Sequence, residues 1–374
     1  VSIDRIDLKI PSMRARHHAP APFSHLEDSM KLFRMIALAV CATVAGALPL
    51  VAQAQGKVEK PKVAIAVGGK AGFYYLPLTI AERLGYFKDE GLDVEISDFE
   101  GGSKALQAVV GGSAEVVSGA WENTIDQQPK GLNMQGFVLQ GRYPAISMGI
   151  AKSKAGAYKS PKDLRGMKIG VSAPGSSTNR LVLHMLAKDG LKGDDVSIIG
   201  VGTAAGAIAA MESGNIDAIS NVDPVITMLE SKGDIVVIAD TRTAKGTAAV
   251  FGSPEMPAAA LYAPIDFVKK NPNTVQALTN AMVRALIWLQ KATPDQIAST
   301  VPPEYLLGNK AGYLASYAKV KDAFSPDGRF SKEGAENTLK YLAAFNPAVK
   351  PAAINLTQTF DNSYVEKALA KYNK

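Results

Sequence analysis

From residue 62 onward, short apolar runs alternate with stretches of helical period. Residues 62–67 (KVAIAV) are rich in β-branched and small apolar side chains, and beyond a Gly-bearing loop Leu76, Ile80 and Leu84 fall on one face of a helix. Residues 92–96 alternate apolar and polar as a half-buried strand does. Gly101, Gly102 and Ser103 then open a helix over 104–110, and 114–118 reads as a third strand. Roughly a hundred residues later the order recurs: strand 167–172, loop 173–177, helix 178–188 stopped by Gly190, strand 196–200, helix 204–212, strand 216–220. Strands alternating with helices predict an α/β chain whose mostly parallel sheets are covered on both faces and joined by right-handed crossovers. The repetition predicts two similar lobes.

After Asp240 come apolar runs at 248–251 and 258–262. A long amphipathic helix follows over 273–290, with Leu278, Met282, Leu286 and Leu289 on its apolar face, and then further helices around Pro-rich turns. Returning this segment to the first lobe gives lobe I from residues 60–145 and 250–374 and lobe II from 146–249. Two strands then cross between the lobes, near 141–152 and 240–262, and two connections make a hinge.

The first 54 residues follow a different pattern. From Met30, a basic start (Lys31, Arg34) leads into an apolar run over 35–51 and then Ala52-Gln53-Ala54. This is the form of a secretory signal peptide over 30–54, cleaved after Ala54. Residues 1–29 are polar and without periodicity, and read as sequence upstream of the true start that takes no part in the fold. The competing reading of 35–52 is an uncleaved membrane anchor, against which stand Gly46, Pro49 and the small-residue cleavage site.

Composition narrows the chemistry. Lys and Arg number 41 against 35 Asp and Glu, a net charge of +6 scattered among acids. No basic stripe follows a phosphate backbone, so nucleic acid is not an expected partner. Cys41 is the only cysteine and precedes the cleavage site, as do His17, His18 and His25. The mature chain therefore has no disulfide, no thiolate metal site and no cysteine nucleophile. His184 stands alone on a helical stretch. No metal cluster, Walker loop or paired-carboxylate constellation stands out, and no cofactor is expected.

Ligands of open α/β sheets sit beyond the carboxyl ends of the strands, where helix N-termini aim free N–H groups into the crevice. The corresponding loops hold Phe73 and Tyr74; Gly101, Gly102 and Ser103; Ala120, Trp121 and Glu122; Gly175, Ser176, Ser177 and Thr178; and Asp223. Two of them, at 101–103 and 175–178, place small residues and hydroxyls at the start of a helix at matching points of the repeat. That arrangement binds an anion through backbone donors without a fixed counter-charge, although Ser103, Ser176 or Thr178 could equally cap its own helix. Phe73, Tyr74 and Trp121 could sandwich the rest of the ligand. Arg142, near the first crossover, is a candidate partner for a carboxylate or sulfonate, or else a solvated or hinge residue. Gly200, Gly202 and Gly206 follow a strand and open a helix with Asp223 beyond, a loose nucleotide-binding pattern. An exported oxidoreductase built on that loop is the alternative from another class.

Taken together, GFYYLPLTIA at 72–81, LGYFKDEGLDV at 84–94, GGS at 101–103, DLRGMKIGV at 163–171, PGSST at 174–178 and FSPDGR at 324–329 resemble the nitrate/sulfonate/taurine group of periplasmic ABC-transporter substrate-binding proteins, which includes binders of thiamine pyrimidine precursors. The similarity runs over nearly all of residues 60–345. It implies a type II periplasmic-binding-protein fold, two lobes closing like jaws, and a monomer without enzymatic activity. It also implies a periplasmic location, a small anionic or zwitterionic ligand, and delivery to an ABC permease in the inner membrane. The family's binding loops carry over onto Phe73 and Tyr74, residues 101–103, 120–122 and 175–178. Glu122 departs from what a bare inorganic anion would want, and with the aromatics it points to an amino-sulfonate or an aromatic or heterocyclic acid. Relatives that synthesise the thiamine pyrimidine need iron-binding histidines and a cysteine-rich motif, which this chain lacks; binding a pyrimidine precursor in the same fold stays open.

Overall fold

A computed structural model describes residues 56–373. The expected upstream extension (1–29) and signal peptide (30–54) lie outside the described residues. Among these, ten strands form two five-stranded sheets. The first contains β1 (Lys62–Gly68), β2 (Asp93–Phe99), β3 (Val116–Ala120), β4 (Met134–Leu139) and β10 (Ala259–Pro264) in the order β2-β1-β3-β10-β4. The second contains β5 (Ile146–Ala151), β6 (Lys168–Val171), β7 (Ser197–Gly200), β8 (Ala218–Val222) and β9 (Ile235–Asp240) in the order β7-β6-β8-β5-β9. Three strands of each sheet come from one copy of the sequence repeat and pair in parallel. In each, one strand runs against both of its neighbours: β10 between β3 and β4, and β5 between β8 and β9.

The apolar runs become strands because both of their faces are covered. Ile65 pairs in register with Ile96 and Val116, all in one sheet. The helix Pro272–Lys291 turns Leu278, Met282, Leu286 and Leu289 into the largest core, packed with the helices Leu76–Arg83 and Ser363–Tyr372. The opposite face of the first sheet is closed by the helix Gly102–Val110 through Ala105, Leu106 and Val109. The second sheet carries the helix Ser177–Lys188 on one side, through Leu181, Val182 and Met185, and the helices Ala205–Glu212 and Val225–Lys232 on the other. No helix of the described residues is long and apolar enough to cross a membrane.

The chain passes between the sheets twice, and the two crossings lie side by side. Ala145 donates to the Thr241 carbonyl (3.1 Å) and Thr241 to that of Ile146 (3.1 Å). The second crossing is not extended throughout, as the apolar run at 248–251 had suggested. Residues Ala244–Phe251 are a helix, because Thr243 accepts from the Gly246 N–H and caps a stretch of small residues.

Candidate functional site

The loops at the ends of β1, β3, β6 and β8 converge on one small cavity between the sheets. Its wall includes Tyr74, Gly102 and Ala120 from the first sheet's side, and Ser176, Ser177 and Thr178 from the second's. Two helix starts face it. The helix at Gly102 has Gly101 as its N-cap and so no side chain to cap it. The helix at Ser177 has Ser176 as its N-cap, yet the Ser176 hydroxyl makes no capping bond. Instead Ser172, Ser176 and Thr178 form a triangle of hydroxyls with edges of 2.9, 2.9 and 2.8 Å. Ser103 does not cap either; its hydroxyl donates to the Pro174 carbonyl at 2.8 Å, stitching one loop to the other. First-turn N–H groups of both helices are thus left without side-chain partners, the condition for holding an anion by dipole and donors. No Lys, Arg or His lines this cavity, and among the described residues no group of three or more His, Cys, Asp or Glu is placed to hold a metal.

The loops meet closely. Phe73 N–H donates to the Asp223 carbonyl at 2.9 Å. Gly69 has φ +95°, and a Cβ there would lie 2.1 Å from Thr203 Oγ1. At Gly101 a Cβ would sit 2.5 Å from the Ala173 Cβ. These glycines let two backbones touch across the gap.

Other expected residues lie elsewhere. Trp121 is not a ligand-facing aromatic: it is fully buried, donates its indole N–H to the Thr359 carbonyl (2.9 Å) and packs against Phe330 and Phe360. Phe73 is buried against Tyr313 and Tyr317. Arg142 is exposed at the first crossing, donating to the Asp322 carbonyl at 2.7 Å. The Asp223 side chain accepts from Thr227 N–H (2.7 Å) and faces Arg242 (3.4 Å); burial raises its carboxyl above the usual range despite that cation. Gly101, Ser103 and Gly175 shape the loops around the cavity without lining it.

Glu122 carries the largest correction. Its carboxylate is not an unmet charge, because Arg180 from the opposite helix donates to Glu122 Oε1 (2.9 Å), Asn123 Oδ1 (2.8 Å) and Asp126 Oδ2 (3.0 Å). All four residues are buried. Burial works against the Arg180 charge, but Glu122 and Asp126 outweigh it and hold the guanidinium protonated. Sequence reasoning missed Arg180. The available signal was the acidic pair Glu122 and Asp126 four residues apart, a repulsive spacing on a helix unless a cation is brought to it. Ser172, Asn123 and Thr203 were also missed on the cavity wall. Tyr74 was expected there and is present; burial, then Tyr75 and Glu122, push its phenol well above the usual range, so it stays a neutral donor.

A model of the NMT1/THI5-like family matches residues 72–297. The chain belongs to that family. A solved protein of Bordetella bronchiseptica RB50 is 58% identical to it, covering 85% of this chain and 100% of its own, with a TM-score of 0.84. The alkanesulfonate-binding protein SsuA from Xanthomonas axonopodis pv. citri, bound to MOPS, is 18% identical over 81% of this chain and 99% of its own, with a TM-score of 0.59. The periplasmic nitrate-binding protein NrtA from Synechocystis PCC 6803 is 14% identical over 85% and 90%, with a TM-score of 0.61. At that identity the last two bear on the fold alone. The fold of this family member is that of periplasmic binding proteins, two mixed sheets flanked by helices.

Proposed function

We propose that this chain is the exported solute-binding component of an ABC importer, taking a small organic anion in the gap between its sheets and performing no chemistry on it. The observation that carries the reading is the cavity faced by two helix starts without side-chain caps and by the Ser172, Ser176 and Thr178 hydroxyls, with no fixed cation on its wall. Four or five charge-assisted hydrogen bonds of about 1.5–3 kcal/mol each, less desolvation and ordering, suffice for the roughly 8 kcal/mol of a micromolar site. On this reading residues 60–145 and 250–374 form one lobe and 146–249 the other. The chain is exported by its leader, cleaved after Ala54, and works as a periplasmic monomer that hands its ligand to an inner-membrane permease. Gly102 and residues 176–178 hold the anionic head, with Tyr74 beside it, while Gly101, Ser103 and Gly175 shape the loops.

A thermal-shift panel of nitrate, taurine, aliphatic and aromatic sulfonates, aromatic carboxylates, pyrimidines and dinucleotides tests it, since a ligand that prefers the native form raises the melting temperature. An organic anion should stabilise the chain, and replacing Ser176 and Thr178 with Ala should weaken that anion about tenfold or more, near 1.4 kcal/mol. A response to dinucleotides alone, or affinity unchanged by the two substitutions, would overturn the assignment.

A further inference from the structure

A second ionic bridge joins the two halves of the molecule, built from none of the residues around Arg180. Arg242 follows β9 at the second crossing and is buried. Its guanidinium faces three carboxylates, Asp240 at 2.6 Å, Asp223 at 3.4 Å and Glu230 at 3.4 Å, and donates to the Thr227 hydroxyl at 3.0 Å. One cation does not balance three carboxylates. The second cation comes from across the gap: Lys319, on the helix Lys310–Val320, donates to Glu230 Oε2 at 2.7 Å, closer than Arg242 comes to that same oxygen.

Apolar and backbone contacts continue the connection. Met228, two residues before Glu230 on the helix Val225–Lys232, is buried in the core of the first sheet together with Phe73, Tyr313 and Tyr317. Phe73 packs on Tyr313 with ring centroids 4.5 Å apart, and its N–H reaches the Asp223 carbonyl. The contacts thus run in a ring, from Phe73 to Asp223, Arg242, Glu230 and Lys319, and back along the helix that carries Tyr313. Tyr74 and Tyr75, on the cavity wall, share the short turn of Phe73.

We propose that Lys319 and Glu230, with Arg242 as their anchor, form a salt-sensitive latch that draws lobe II onto lobe I, so that ionic strength sets how readily the gap opens. The inference rests on the hinged two-lobe reading proposed above and not on the identity of the ligand. Exposure separates this latch from the Arg180 cluster. The side chains of Arg180, Glu122 and Asp126 are 9, 11 and 8% exposed, so dissolved ions screen them little. Those of Lys319 and Glu230 are 40 and 33% exposed and open to screening. An exposed pair is weak by itself. Here its loss also leaves three carboxylates facing a single guanidinium, which favours keeping Lys319 in place.

The test reads the distance between the lobes without added ligand. The chain from residue 55 onward has no cysteine, so Lys88→Cys and Lys192→Cys, one exposed position in each lobe, accept a dye pair. Single-molecule energy transfer then gives the ratio of closed to open molecules. Between about 0.01 M and about 1 M NaCl, over which the Debye length shrinks from about 30 Å to about 3 Å, that ratio should fall about two- to fivefold. Lys319→Met should lower it by a similar factor at low salt and remove most of the salt dependence, while Lys319→Arg keeps both as in wild type. Lys319→Glu, which sets a fourth carboxylate beside Glu230, should open the molecule further than Lys319→Met. A ratio in Lys319→Met equal to wild type at low salt, or a salt dependence undiminished by that change, would overturn the latch. A single unchanging distance in every variant would do the same. None of these outcomes decides the proposed function, which stands or falls on the thermal-shift panel.

Discussion

The Arg180 cluster makes a quantitative demand on the closed arrangement. Its guanidinium spans the gap with three hydrogen bonds of 2.8 to 3.0 Å, two of them to carboxylates. Bringing three ions out of water cancels much of the attraction between them, so the intact cluster contributes little net stability. Removing only the cation is another matter, because the two buried carboxylates then lose their shared partner, Asp126 keeping Lys130 at 3.7 Å as its one cation, at a cost of about 3–5 kcal/mol. They escape that cost most readily when the two sheets draw apart and water reaches them. Arg180→Met should therefore disfavour the closed form by about 3 kcal/mol or more, which at 1.4 kcal/mol per decade weakens ligand binding about a hundredfold or more. Titration with the organic anion that stabilises the chain most measures the loss, and small-angle scattering of the free protein should show a larger radius of gyration. Adding Glu122→Gln and Asp126→Asn to the same chain should restore most of the affinity, since no charge is then left unmet. Wild-type affinity and scattering in Arg180→Met, or a triple variant no better than the single one, would refute the reasoning.

Two further outcomes follow from contacts described above. Gly101→Ala should weaken binding about tenfold or more with little change in melting temperature, because its Cβ would lie 2.5 Å from the Ala173 Cβ and 3.1 Å from the Ala173 backbone nitrogen, holding the loops apart without touching a core; affinity equal to wild type would show that the loops need not meet. His184 is packed against Phe251 and Tyr341, and burial lowers its pKa from the ordinary 6.5. As pH falls below 6.5 the unfolded chain takes up this proton before the folded one, so stability fully present above 6.5 is lost as pH falls toward the lowered folded value. Melting temperatures from pH 7.5 to 5 should fall less in His184→Gln than in wild type, and parallel curves would remove His184 from the account.

The elements were legible because their causes are local. The β-branched run at 62–67 and the spacing of Leu278, Met282, Leu286 and Leu289 depend only on neighbours in the chain, and the structure places their ends within a few residues of where the pattern does. The two helix-opening loops were legible for the same reason, since small residues ahead of a helical period mark a helix start wherever the helix is later packed. Side-chain direction was not. Trp121 faces Phe330 and Phe360, and its indole N–H finds Thr359, partners more than two hundred residues away that no window around Trp121 contains. Arg180 sits between Asn179 and Leu181 like any helical arginine, and its meaning comes from Glu122 and Asp126, which follow β3 on the first sheet's side. The helix over Ala244–Phe251 was hidden by its own composition, alanine and valine being compatible with either period until the Thr243 cap is weighed.

The placement of β10 has a consequence for the order in which the molecule is assembled. The second sheet is drawn from one continuous stretch ending at Asp240, whereas the first keeps an inner slot between β3 and β4 that only residues 259–264 can occupy. A chain synthesised from its N-terminus can complete the later sheet while the earlier one still lacks a central strand. Pairing so distant in sequence is slow, because a long loop must close before any contact rewards it. Until that strand docks, the edges of β3 and β4 stand exposed to other chains, so the last strand to arrive determines when the molecule becomes safe from aggregation.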